Sequence, residues 1–187
     1  MLKRTLATTL AIFCLSWINL ASADNPSATI ATNYGDIEIE LLENLAPRTV
    51  KNFISLIDET FYDGLIFHRV IANFMIQTGG YAPDMTYMSD DRTLPNESFN
   101  RVKNSRGTLA MARLNDPDSA GTQFFINVRD NPNLDASGTT AGYTVFGRVS
   151  SGMEVVEEIE LVNTHLFQGH AAVPEEPVII RSIRLND

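Results

Sequence analysis

Residues 67–80 form the most informative stretch of the chain, FHRVIANFMIQTGG. Successive side chains of a β-strand point to opposite faces, so this run predicts two different surfaces. One face holds Phe74, Ile76 and Thr78, and the other holds Met75 and Gln77. A cation, Arg69, and an amide, Gln77, therefore lie among large apolar groups. The pattern alone leaves two interpretations open: both polar groups face solvent on an exposed strand, or they belong to a binding site.

Further short runs rich in β-branched and aromatic residues follow one another between Gly, Asn and Pro turn signals, which is typical of a sandwich or barrel. We predict strands at Ala28–Thr32, Ile37–Leu41, Ile66–Val70, Phe74–Thr78, Thr108–Met111, Gln123–Asn127, Thr144–Arg148 and Val178–Leu185. The run at 37–41 alternates apolar and acidic residues, so we expect it to have one buried and one wet face. Residues 81–106 have only weak periodicity and are polar, which predicts a surface loop.

Two helices are also predicted. The first begins at Ala46-Pro47, because proline is well tolerated in the first turn of a helix. Its apolar residues recur at helical spacing and form one stripe, made of Val50, Phe53, Ile54 and Ile57. The second helix is predicted at Met153–Ile159. Both would cover a sheet or the end of a barrel.

The first 23 residues have the pattern of a cleavable signal peptide. Lys3 and Arg4 precede an apolar run at 6–20, and Ala21-Ser22-Ala23 follows as a small-residue cleavage site. A membrane anchor is the weaker interpretation, because polar residues interrupt the run. We therefore expect a signal peptide at 1–23, one domain at 24–187, and an exported protein without stable membrane insertion. We expect the periplasm as its location, with secretion as the alternative.

Composition and charge exclude several classes of protein. The chain carries 14 Lys+Arg against 23 Asp+Glu, and removal of residues 1–23 leaves 12 against 23, or −11. Such an acidic balance argues against nucleic-acid binding, which needs a basic face. The single cysteine lies in the leader, so the mature domain makes no disulfide. No phosphate-binding loop or Gly-x-Ser-x-Gly elbow is present, and His165 and His170 lack a third metal ligand, so we expect neither metal nor cofactor.

Five phrases, in order along the chain, resemble the cyclophilin family of peptidyl-prolyl cis-trans isomerases, most closely its exported bacterial branch. They are FHRVI, FMIQ, LAMAR, QFFINV and VFGRV. The resemblance implies a mainly β fold, a closed eight-stranded antiparallel barrel capped by two helices. It makes Arg69 the catalytic cation, oriented by Gln77. It assigns substrate contacts to Phe74, Met75, Ala112, Arg113, Gln123, Phe125, Leu134 and Tyr143.

In detail, the resemblance implies an apolar proline pocket and main-chain pairing of the substrate with residues 112–113. Two positions depart from the family pattern: Tyr143 stands where many members have His, and Asn133 stands where the cytosolic type has Trp. The missing indole N–H predicts weak cyclosporin binding with retained activity. We expect a monomer that acts on proline-containing peptides and unfolded exported proteins. The alternatives are a proline-binding chaperone with little turnover and, with less support, an exported hydrolase.

Overall fold

The computed structural model describes residues 25–88 and 90–186. The predicted signal peptide at 1–23 lies outside these residues, so it stays a prediction. Within the described part of the chain, no helix combines the length and apolar character needed to cross a membrane.

The described chain contains ten strands and two α-helices. The strands are β1 (Ser27–Thr32), β2 (Asp36–Leu41), β3 (Arg69–Ile71), β4 (Met75–Thr78), β5 (Thr108–Met111), β6 (Phe124–Asn127), β7 (Val145–Ser151), β8 (Thr164–Phe167), β9 (His170–Pro174) and β10 (Ile180–Leu185). The helices are α1 (Pro47–Asp58) and α2 (Met153–Glu160). Both predicted helices are therefore present, and the predicted strand at 108–111 has the bounds that were expected.

Eight of the strands form one antiparallel sheet in the order β10-β1-β2-β7-β5-β6-β4-β3, which curls into a half-barrel. The predicted closed barrel is wrong in one respect, because no ladder of hydrogen bonds joins the edge strands β3 and β10. The segment before β3 instead meets the start of β10 at an isolated bridge between Ile66 and Ile179. Backbone hydrogen bonds flank this bridge, from Phe67 to the Val178 carbonyl at 2.9 Å and from Ile180 to the Leu65 carbonyl at 2.8 Å, but they do not continue into a ladder between the two strands. The edge strand β3 is short, and β9 packs against it. This edge of the sheet is therefore covered by β9, although β3 forms no ladder with β10.

The inner face of the sheet is filled by apolar side chains that α1 and α2 help to cover. Phe53 of α1 is at its centre, with its ring centroid 5.3 Å from that of Phe124 and 5.1 Å from that of Phe146. The side chain of Tyr62 is also buried there, and its hydroxyl donates to the Thr122 carbonyl at 3.0 Å. Burial raises the pKa of Tyr62 well above its ordinary value, so the hydroxyl remains a donor.

The loop at 81–106 caps the N-terminus of α1. Ala46 precedes the helix and supplies no side-chain cap. Glu97 from the loop provides one, because its carboxylate accepts from the Thr49 amide at 2.9 Å and from the Thr49 hydroxyl at 2.7 Å. A carboxylate at this end also complements the helix dipole. The predicted loop at 81–106 thus lacks long regular elements but is fastened to the fold.

A second apolar cluster, called here the outer cluster, lies on the opposite face of β4, β5, β6 and β7. Its buried members are Leu42, Met75, Ala110, Phe125 and Val145. Phe74 packs against this cluster, so its predicted placement on the face of Ile76 is wrong. The reason is that β4 begins at Met75 and residues 72–74 form the β3–β4 turn, where Asn73 has a φ of +56° and strand alternation does not apply.

The hairpin of β8 and β9 was not predicted. Its first strand is exposed at every residue, including Leu166, so the sequence shows no burial alternation there. The predicted strand at 66–70 also differs, because β3 begins at Arg69.

Candidate active site

Three strands bring the predicted polar residues together. The register places Arg69 of β3 opposite Gln77 of β4, and Gln77 opposite Phe125 of β6. The Arg69 Nη1 donates to Gln77 Oε1 at 3.4 Å and lies 3.7 Å from Met75 Sδ. Gln77 Nε2 in turn donates to Gln123 Oε1 at 2.9 Å. The Gln77 side chain therefore binds the Arg69 guanidinium through its oxygen and the Gln123 amide through its nitrogen.

A cavity of about 260 Å³, called here the proline cavity, opens beside this chain of hydrogen bonds. Its lining consists of Arg69, Phe74, Met75, Gln77, Ala112, Arg113, Phe125, Leu134 and Tyr143. Nine of the ten site residues predicted from the sequence thus line one cavity. The tenth, Gln123, reaches it through its hydrogen bond to Gln77. The roles assigned to these residues remain predictions at this point.

The apolar walls of the proline cavity are held by buried amides. Asn131 is 1% exposed, and its Nδ2 donates to the Phe74 carbonyl at 2.9 Å and to Asn127 Oδ1 at 2.7 Å. Its own carbonyl accepts from the Leu134 amide at 2.9 Å. Asn131 therefore fixes two walls that come from distant parts of the chain. Sequence reasoning missed it, although the Asn131-Pro132 dipeptide is a turn signal that could have drawn attention to this segment.

The Arg113 side chain borders the same cavity and is firmly held. Its Nη2 donates to the Ala141 carbonyl at 3.0 Å, and its Nη1 donates to the Leu114 carbonyl at 2.9 Å. Its guanidinium carbon also lies 4.8 Å from the centroid of the Tyr143 ring. A cation over an aromatic face is attracted by the ring quadrupole. The Tyr143 ring therefore stands between Arg113 and Phe125, whose centroid is 5.6 Å away.

The surroundings of Arg69 affect its guanidinium. Arg69 is half-buried, and this burial lowers the pKa of its guanidinium, with an opposing electrostatic effect of Tyr143. An arginine still remains charged at neutral pH. The arrangement can therefore present a partly dehydrated N–H donor to a group held against the apolar walls, without any acid or base that must change its protonation.

Gln77 also lines two neighbouring cavities. The larger, of about 420 Å³, extends past Ala112 and Arg113 toward Asp90 and Asp91. The other, of about 300 Å³, lies on the side of His68 and His170. Three cavities consequently meet at one amide side chain.

Comparison with known proteins decides the family. The sequence model of the family described as "Cyclophilin type peptidyl-prolyl cis-trans isomerase/CLD" matches residues 27–185, which include every strand of the sheet. The chain belongs to the cyclophilin family. It is a cyclophilin-type peptidyl-prolyl cis-trans isomerase, as the resemblance of the five phrases implied.

Named relatives agree with this assignment. The chain is 51% identical over 161 residues to a peptidyl-prolyl cis-trans isomerase of Acinetobacter baylyi, covering 86% of each chain. It is 41% identical over 187 residues to peptidyl-prolyl cis-trans isomerase A of Dickeya dadantii, covering 99% of this chain and 98% of the relative. A crystal structure of a cyclophilin of Cryptosporidium parvum in the presence of the dipeptide Ala-Pro matches with a TM-score of 0.72 and 29% identity. That match covers 86% of this chain and 99% of the other.

Proposed function

We propose that this cyclophilin accelerates rotation about X-Pro bonds in exported proteins as they fold, with Arg69 stabilising the twisted amide and the proline cavity holding the ring. The observation that carries the proposal is the position of the Arg69 guanidinium in the wall of a cavity whose other walls include Phe74, Met75, Phe125 and Leu134. The Cryptosporidium relative studied with Ala-Pro supports proline peptides as the substrate class. The leader pattern at 1–23 supports export.

Isomerisation of an X-Pro bond requires a hydrogen-bond donor beside the proline nitrogen and a surface that holds the ring. Rotation about an X-Pro bond has a barrier of about 20 kcal/mol, because resonance gives the bond partial double-bond character. Lowering the barrier by roughly 7 kcal/mol gives on the order of a thousand turnovers per second. In the twisted transition state, the proline nitrogen becomes pyramidal and gains a lone pair. Arg69 can donate a hydrogen bond to that lone pair, whereas the planar ground state offers no such acceptor, so the interaction favours the transition state.

Gln77 and the apolar walls have separate tasks in this proposal. Gln77 limits the orientations of the Arg69 fork through its 3.4 Å contact, and Gln123 orients Gln77 in turn. The walls hold the proline ring while the preceding carbonyl swings, and they exclude water from the guanidinium. A lower local dielectric strengthens the hydrogen bond that Arg69 offers.

The resemblance implies main-chain pairing of the substrate with residues 112–113, and one hydrogen bond supports a choice between these two residues. The Ala112 amide already donates to the Gln123 carbonyl at 2.9 Å. That N–H is therefore engaged within the protein. We assign the pairing with the residue before proline to the main chain of Arg113, whose side chain is held away against residues 141–143.

The first prediction tests the guanidinium. Arg69→Ala should lower kcat/KM for a proline peptide at least tenfold, which corresponds to about 1.4 kcal/mol of transition-state stabilisation. Arg69→Lys should also lose most activity, because an ammonium lacks the planar fork that Gln77 holds. The matched control is Arg181→Ala, which removes an exposed arginine of β10. Peptide isomerisation and circular dichroism are measured for each variant, and a folded Arg69→Ala protein with full activity would exclude the role.

Two further measurements separate the remaining alternatives. Fractionation of cells that express the full chain tests export, and detection only in the cytoplasm would contradict it. An aggregation-suppression assay beside the isomerisation assay tests the chaperone alternative. If Arg69→Ala abolishes isomerisation but keeps full suppression of aggregation, the two activities belong to different surfaces.

A further inference from the structure

The proposed function places the proline ring in the proline cavity and assigns no part of the substrate to the adjoining cavity of about 300 Å³. It is lined by His68, Arg69, Gln77, Tyr81, Gln123, Gly169, His170 and Ala171. Because β9 packs against β3, the β8–β9 hairpin supplies one wall, and the segments around β3 and β4 supply the others. We call it the histidine cavity. It shares Arg69 and Gln77 with the proline cavity, so a peptide held in one passes close to the other.

His68 is the most unusual residue of this lining. It is 5% exposed, and its Nδ1 has no hydrogen-bond partner within the described residues. A buried polar atom without a partner is costly, but this atom is also shielded from solvent, so His68 contributes its ring rather than this nitrogen to the lining. The Tyr81 ring lies between the two imidazoles, with centroids 4.6 Å from His68 and 5.0 Å from His170. The three rings therefore form one aromatic wall.

The polar groups of the histidine cavity are mainly donors. The oxygen of the Gln123 side chain accepts from Gln77, so its Nε2 remains a donor for other groups. Burial, followed by the electrostatic effect of Tyr87, raises the pKa of Tyr81, which keeps its hydroxyl protonated. Arg69 carries a permanent charge and has five N–H donors, of which the contacts to Met75 and Gln77 occupy one nitrogen.

The local charge is positive although the chain as a whole is acidic. Among the residues that the structure describes, no Asp or Glu lines the histidine cavity, whereas Asp90 and Asp91 line the larger cavity on the other side of Gln77. Burial and the charges of His170 and Arg69 lower the pKa of His68 to about 4. His68 therefore stays neutral at physiological pH, while its neighbours favour an anion. An acceptor-only group such as a carboxylate matches this set of donors.

We propose that the histidine cavity is a subsite for an acidic side chain of the substrate, one or two residues after the isomerised proline. The assignment rests on the proposed function, because it places the proline in the neighbouring cavity. The residue before proline is assigned to Arg113, which borders the proline cavity and the larger cavity but not this one. The part of the substrate that follows the proline would therefore pass Arg69. An extended chain advances about 3.3–3.6 Å per residue, so one or two residues span the distance between adjoining cavities.

The test compares peptides that differ only in Glu, Gln or Lys at the first or second position after proline. Isomerisation by the full chain is followed by NMR exchange spectroscopy, which needs no coupling protease. We expect kcat/KM for Glu to exceed that for Gln by at least about threefold at one of these positions, the order of a partly exposed charge interaction. The advantage should shrink in about 0.5 M salt, because ions screen the charges.

Variants assign the preference to this cavity. His170→Ala should bring the ratio of kcat/KM for the Glu and Gln peptides toward one. His170→Glu should reverse the preference, so that kcat/KM for the Lys peptide exceeds that for the Glu peptide. His165→Ala is the matched control, since it removes a histidine of the same hairpin that does not line the cavity. Tyr81→Phe gives a second variant that keeps the ring and removes one donor.

Each outcome decides between alternatives. Equal rates for Glu and Gln at both positions, with normal turnover of the Gln peptides, would overturn the subsite and leave the isomerase proposal intact. A Glu preference that survives both His170→Ala and Tyr81→Phe would overturn its assignment to this cavity. No turnover of any peptide would overturn the catalytic assignment and the subsite with it.

Discussion

Strands β2 and β6 belong to the same sheet, yet they present different surfaces to the outside. In β2, the buried Ile37, Ile39 and Leu41 alternate with the exposed Glu38 and the half-buried Glu40. In β6, all four residues from Phe124 to Asn127 are buried. The inner faces of both strands contribute to one core. The difference lies in the outer face, which is wet on β2 and is covered by the outer cluster on β6.

This difference changes what a charged side chain can do. Hydrogen bonds from Asn25 and Arg148 lower the pKa of Glu40, but Arg148 is largely exposed, so solvent screens the Arg148–Glu40 ion pair and it contributes little to stability. Arg69 is instead placed beside Met75 of the outer cluster, where its charge is partly dehydrated. The same kind of cation is a surface charge over one half of the sheet and a candidate catalytic group over the other.

The largest expected effect is on the shared inner core. Phe53→Ala should lower the free energy of unfolding by about 3–5 kcal/mol, because it leaves a cavity among Phe124, Phe146 and Tyr62. Urea unfolding checks the value, and Phe99→Ala at an exposed site serves as the control, with a change within about 0.5 kcal/mol. A loss below about 1 kcal/mol for Phe53→Ala would contradict the central position of this ring.

An intermediate effect is expected at the rim of the site. Asn133 is exposed beside Leu134, where the cytosolic type of the resemblance has Trp. Asn133→Trp should tighten cyclosporin binding at least about tenfold, because an indole adds an N–H donor and apolar contact area. Asn163→Trp, at an exposed site outside the three cavities, should leave the affinity unchanged. Isothermal titration gives both constants, and nanomolar binding by the wild-type chain would contradict the predicted weakness.

The smallest effect is expected on the wet face. Glu38→Gln should change the free energy of unfolding by less than about 0.5 kcal/mol and leave isomerase activity unchanged, because Glu38 is exposed on β2. Urea unfolding and the peptide assay are the measurements. A clear loss of activity would mean that the outer face of β2 takes part in substrate binding, and the distinction between the two halves of the sheet would fail.

Local patterns predicted much of this fold. The acidic alternation of β2, the apolar stripe of α1 and the run at 108–111 each carry their signal within a few residues. The hairpin at 164–174 carries no such signal, since Leu166 is 74% exposed and packing against β3 determines the position of β9. Local patterns also could not predict whether the barrel closes, because closure depends on how the two edge strands lie after the whole sheet has curled.

The site was predictable for a different reason. The resemblance named residues that line the proline cavity, but from the pattern alone Arg69 could equally have faced solvent. Its contact with Gln77 follows from strand pairing, which a short alternating run does not specify. The histidine cavity was missed because His68 and His170 lie far apart in the chain, and only the packing of β9 on β3 brings them to one lining.

The two ends of the described chain lie beside each other, because β1 pairs with β10 in the sheet. The Asn186 amide donates to the Ser27 carbonyl at 2.9 Å, and the Thr29 hydroxyl donates to Asn186 Oδ1 at 2.8 Å. Neither end contributes to the lining of the three cavities. A short covalent link between residues 27 and 186 would therefore circularise the backbone without changing the strand register, and it would reduce the entropy of the unfolded chain. A tether at either end would likewise leave the mouth of the proline cavity open to a passing polypeptide.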